Sequence, residues 1–190
     1  MKKKNIVILL FLGLYFLSSC SSLKNNNYNP NRVMLNNSNF KLIEGKYKIN
    51  SIDNKGSFGL DSYLLGNNLS YLLKRYEFDS RSDSSHYVKF KFVDEKTLNV
   101  SYTENSGILK TKKIKGKLKD GYFELKRSSL LIPAILANLY RNRKFRIGLL
   151  DNGNLTTDYN EISFGTAIVI IPFWWNETDL DVEFERIQNE

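Results

Sequence analysis

Apolar and polar side chains alternate with a period of two through most of this chain, and that pattern restricts the fold more than any other feature. Residues 87–93 (YVKFKFV) set Val88, Phe90 and Phe92 against Lys89 and Lys91. Residues 97–103 place Leu98, Val100 and Tyr102 on one side, and Ile114, Gly116 and Leu118 alternate with Lys113, Lys115, Lys117 and Lys119. Phe123 and Leu125 continue the series, as do Phe145, Ile147 and Leu149, and then Leu155, Thr157 and Tyr159. One apolar and one polar face per strand is the pattern of an antiparallel sheet with one side in a core. The lysines fall on the solvent side, so the formal net charge of +8 reads as a hydrated sheet face. No aromatic residues interleave with them on that side, and nucleic acid is not an expected partner.

The connections agree. Residues 94–96 (DEK), 105–107 (NSG), 120–121 (DG) and 151–154 (DNGN) carry turn chemistry between alternating runs, the signal of successive hairpins. Parallel pairing would need helix-length crossovers, which the spacing does not provide. Two stretches break the pattern. Residues 61–75 bring Leu64, Leu65, Leu69, Leu72 and Leu73 near helical spacing and predict a short helix after the first strand. Residues 128–138 (SSLLIPAILAN) read as an apolar loop or short helix, with Pro133 barring a central strand. A meander of about eight strands must protect its edges, and closure into a barrel removes them. The expected fold is therefore all-β, an antiparallel meander closing into a barrel, with a β-sandwich as the alternative.

Both ends of the patterned region resemble the lipocalins and their bacterial relatives. Ile43-Glu44-Gly45-Lys46-Tyr47 is similar to the Gly-x-Trp entrance of their first strand, with Tyr47 in place of tryptophan. Phe184-Glu185-Arg186-Ile187 resembles the closing strand, whose arginine packs over that aromatic ring. The resemblance implies a lipocalin-like barrel in which Tyr47 and Arg186 meet. The long segment between the first and second strands departs from a compact lipocalin.

Residues ahead of the barrel address the chain to a membrane. Lys2, Lys3 and Lys4 precede the apolar run 6–17 (IVILLFLGLYFL), too short for the about 20 apolar residues that span a bilayer. A charged cap, an apolar core and small residues before a cleavage point make a secretory signal. Leu17-Ser18-Ser19-Cys20 resembles the lipobox of bacterial lipoproteins. The resemblance implies removal of residues 1–19, a diacylglycerol on the Cys20 sulfur and acylation, palmitate included, at the new amino terminus. Two or more acyl chains hold a protein on a bilayer stably. Ser21 rather than aspartate follows the cysteine, which the resemblance links to the outer membrane of the cell envelope. Residues 21–39 contain eight asparagines, and with so little apolar surface residues 20–40 are expected to form a flexible tether to a domain spanning 41–190.

Catalytic constellations are not legible. His86 is the single histidine, beside Ser84 and Ser85, and sequence adjacency does not make a triad. One histidine and one lipidated cysteine cannot furnish a zinc site, and Asp151-x-x-Asn154 lacks the length of a calcium loop. No Gly-rich phosphate loop is present. The expectation is a binding or accessory protein without metal, cofactor or enzymatic activity. A small apolar ligand or lipid is the first expected partner, and an envelope protein contacting the outer surface of a filled barrel is the alternative. The residues expected to make ligand or membrane contact are Phe173, Trp174 and Trp175. Residues 167–171 are continuously apolar, as in a strand covered on both sides. Pro172 is expected to end the ladder, and residues 176–179 to form a loop, leaving both tryptophans at a strand-to-loop transition.

Overall fold

A computed structural model describes residues 29–53, 55–56, 59–65, 86–104, 107–126, 128–133, 137–167 and 171–188, together with Leu23. In chain order the elements are β1 (Arg32–Val33), a 3-10 turn (Phe40–Ile43), β2 (Gly45–Ser51), α1 (Leu60–Leu65), β3 (His86–Asp94) and β4 (Thr97–Glu104). There follow β5 (Gly107–Lys119), β6 (Tyr122–Leu125), β7 (Ser128–Pro133), β8 (Ala137–Leu150), β9 (Leu155–Ala167) and β10 (Ile171–Ile187). All pairings are antiparallel, and the order β8-β6-β5-β4-β3-β2-β10-β9 returns to β8. The chain is thus a closed eight-stranded antiparallel barrel of lipocalin-like form, with β1 and β7 added outside the ring. The sandwich alternative is excluded by the β10–β2 and β8–β9 pairings, which close the sheet on itself.

The period-two residues fill the barrel. Tyr47, Ile49, Val88, Phe90, Leu98, Val100, Phe123, Ile147, Leu155, Val182 and Phe184 are almost wholly buried, each large one contributing about 1.5–3 kcal/mol by leaving water. Helix α1 supplies Leu60 and Leu64 to the same core. The remainder of the expected helix, from residue 66 onward, lies outside the described residues. The turns form where expected at 95–96, 120–121 and 151–153, and Asp120 (φ 52°) and Gly121 (φ 76°) take the left-handed backbone that a tight Asp-Gly turn uses.

Four expectations are corrected. Ordered structure begins well before residue 41: Arg32 and Val33 pair with Leu150 and Leu149 on β8, and Leu35 and Phe40 are buried. Apolar residues spaced among the asparagines reach the core, and the asparagine side chains tie the turns, as where Asn36 accepts from the Ser38 backbone at 2.8 Å. Residues 128–133 form strand β7 on β8, from Ser128↔Arg143 to Pro133↔Asn138. Pro133 is tolerated because it is the last residue of β7, which is an edge strand among the described residues. Pro172 does not end the ladder, because β10 runs unbroken through residues 176–179, in register with β9 from Ile171↔Ala167 to Asp179↔Tyr159. There β10 has no second partner strand among the described residues, the edge position at which proline is tolerated. Nor is 167–171 a single covered strand: Ala167 ends β9, Ile171 begins β10 and is 60% exposed, and residues 168–170 lie outside the described residues.

Candidate functional site

Pairing around the ring is complete at one end and, among the described residues, interrupted toward the other. At the complete end β2 pairs with β10 and β5 with β6. Toward the other end β10 leaves β2 above Phe184, and β5 parts from the β6–β7 side after Lys115 accepts from the Lys126 backbone at 2.8 Å. β6 and β7 lie end to end along β8, with one extra residue between the pairs Glu124↔Arg146 and Ser128↔Arg143. Strands β7, β8, β9 and β10 therefore continue past the barrel as a four-stranded extension.

Helix α1 packs against the core toward that second end. Tyr63 packs on Phe145 and Tyr159 with ring centroids 5.3 and 5.0 Å apart, and its hydroxyl donates to the Asp179 carboxylate at 2.5 Å. From β5, on the opposite wall, the Lys112 ammonium donates to the Leu64 carbonyl at 3.2 Å. Loss of hydration lowers the Lys112 pKa, and repulsion from Lys110 and Arg143 lowers it further.

Glu161 anchors the base of the extension. Arg143 forms a close ion pair with it, Arg141 lies 3.0 Å away, and the Tyr159 and Ser163 hydroxyls donate at 2.5 and 3.1 Å. Burial alone would raise its pKa, but the Tyr159 hydroxyl and the two arginines outweigh that and hold it below the usual carboxylate range. A general acid needs the opposite shift, so Glu161 acts as a fixed counter-ion. On the barrel exterior Arg32 and Arg146 cover the two faces of Tyr122 at 3.8 and 4.1 Å, and Arg146 pairs at 2.5 Å with the buried Asp158. These groups are structural. Among the described residues no group of three or more His, Cys, Asp or Glu side chains could hold a metal ion. His86 begins β3 with its ring 6.4 Å from that of Tyr102, while Ser84 and Ser85 lie outside the described residues.

Exposed apolar surface gathers on the extension. Phe173 is 42% exposed, Trp174 71% and Trp175 54%. Strand alternation separates them: Phe173 and Trp175 share the face that continues the barrel interior, and Trp174 points to the outer face. Pairing then assembles a row that sequence reading missed, Leu131–Tyr140–Phe164–Trp174, one residue from each strand. Leu131 and Phe164 are likewise exposed, and the Tyr140 and Phe164 rings lie 4.7 Å apart. The available signal was the lack of any charged residue across 128–140 and across 162–176. Cys20 lies outside the described residues.

Fold and surface together define an antiparallel lipocalin-like barrel that presents an aromatic sheet beyond its rim. Compared with protein-family models, curated proteins and solved structures, the chain matches none.

Proposed function

We propose that this is a lipid-anchored protein of the cell envelope, held at the outer membrane through Cys20, whose barrel is a filled scaffold and whose aromatic extension is the working surface. One observation carries the reading: large side chains occupy the barrel interior while Phe164, Phe173, Trp174 and Trp175 stand in solvent together. Folding normally consumes such residues first, and aromatic side chains left out beside one another mark an interaction site. The lipobox supplies the anchor in this reading. Occupancy by a small apolar ligand or lipid is the second reading, favoured by the barrel fold.

The test is a comparison of stability with binding. Trp174→Ala and Trp175→Ala together are expected to move the melting temperature by no more than about 4 °C, since surface substitutions cost about 0.5 kcal/mol or less each. The same pair is expected to abolish association with membranes or partners beyond what the acyl chains provide. A fall of ten degrees or more would assign the indoles to the folded core and remove the basis of the reading.

A further inference from the structure

We infer that the four-stranded extension is a second membrane foothold, which seats its end in the head-group region of a lipid leaflet. The inference deepens the proposed function by naming a lipid surface as the partner of the aromatic sheet. It rests on the extension being the working surface, but it does not rest on the lipidation of Cys20.

Chemistry changes along the extension in three levels. Nearest its end come Ile171, Pro172 and Phe173 on β10, Gly165 and Thr166 on β9, and Asn138 and Leu139 on β8, none of them charged. The next level is aromatic, with Trp174 and Trp175 on β10 beside Phe164 and Tyr140. Charge begins with Arg141, level with Trp175, and then Arg143, Glu161 and Glu177 form one row across three strands. An uncharged end, an aromatic belt and then ionic groups is the order in which side chains partition through a bilayer interface. From Ile171 to Trp175 the strand rises about 14 Å, roughly half of the ~30 Å hydrocarbon core. That span is too short for a crossing, and only its end enters the interface. The sides of β7 and β10 that have no partner strand among the described residues set the same limit, because unpaired backbone groups cost several kcal/mol each in hydrocarbon. At head-group depth they stay hydrated.

A protein partner fits less well. A docking face is apolar on one side of a sheet, whereas here Ile171, Phe173 and Trp175 are exposed on one face and Leu131, Phe164 and Trp174 on the other. Each face measures only about 19 Å by 14 Å from strand spacing and rise. That is near 270 Å², against the roughly 800 Å² per partner of a stable protein interface. A second copy of the chain would therefore bind weakly, while a lipid surface takes both faces at once.

The chain's two tryptophans both lie in this surface, so intrinsic fluorescence reports on it alone. Protein purified from membranes is mixed with phosphatidylcholine–phosphatidylglycerol vesicles carrying bromine on the acyl chains just below the glycerol backbone. The expected result is a blue-shifted emission, quenching by the brominated lipid and protection from aqueous iodide. Phe164→Glu, and independently Leu131→Glu, should each abolish most of the bromolipid quenching while leaving the circular dichroism spectrum intact. Protein that floats with the vesicles but keeps water-like emission, open to iodide, overturns the foothold and leaves the Cys20 anchor standing. Protein that neither floats nor is quenched overturns both. Quenching unchanged by the two charged variants overturns the assignment to this surface.

Discussion

The Arg186 guanidinium lies over the Tyr47 ring, 5.5 Å from its centroid, where the first and last strands of the barrel pair. It also donates a short hydrogen bond to the Glu44 carbonyl, and Tyr47 is itself fixed by its hydroxyl donating to the Ile43 carbonyl at 2.8 Å. Burial, partly offset by Arg186, pushes the Tyr47 pKa up to about 12. Gly45 makes the arrangement possible, since a Cβ there would stand 2.8 Å from the arginine Nη2 and 2.9 Å from Nε. Gly-x-aromatic on one strand and an arginine on another are thus one packing unit, and this unit closes the ring.

Arg186→Ala is expected to destabilise the protein by about 1–3 kcal/mol, combining a cation–π contact with a lost hydrogen bond to a part-buried carbonyl. Gly45→Ala should act through the same contact by displacing the guanidinium. The double variant should then cost less than the two singles added together. Urea unfolding of the four proteins checks this, and strict additivity would show that the two residues are not one unit.

Glu161 is expected to make stability depend on acid. Its folded pKa lies below the usual carboxylate value, so its contribution is present above the unfolded pKa of about 4.3 and is lost as pH falls through the folded value. Glu161→Gln should cost about 1–3 kcal/mol at pH 7, with Arg141 and Arg143 left partly buried beside a neutral group. The difference between wild type and variant should shrink steadily below pH 4. Melting curves from pH 3 to 7 measure it, and a gap that stays constant with pH would exclude an ionised role.

The barrel was legible in the sequence because each strand buries one face, so its alternation is set by a single environment. The extension was not. With both faces in solvent, Leu131, Tyr140, Phe164 and Trp174 follow no inside–outside rule, and each looks like a core residue when read alone. Only strand register places them in one row. Pro133 and Pro172 misled for a related reason: both argue against a central strand, yet β7 and this part of β10 are edges among the described residues, where a missing N–H breaks no ladder. The Glu161 cluster joins residues that are ordinary in isolation, and nothing in their spacing marks them.

Cys20 is expected to be the first residue of the mature chain. Cys20→Ser should leave a longer, unacylated precursor, and wild-type protein should partition into detergent. Mass spectrometry of the N-terminal peptide decides this, and a mature terminus at any other residue would remove the anchor from the account.

The central claim, a filled scaffold working through its outer surface, is tested most directly by the native mass of the protein taken from membranes and stripped of detergent. The account predicts the mass of the chain with its acyl groups and no further companion, in wild type and in the Trp174→Ala, Trp175→Ala protein alike. A small molecule that stays bound through detergent removal, is released only on collisional activation and persists when both indoles are gone would contradict it, placing a ligand inside the barrel.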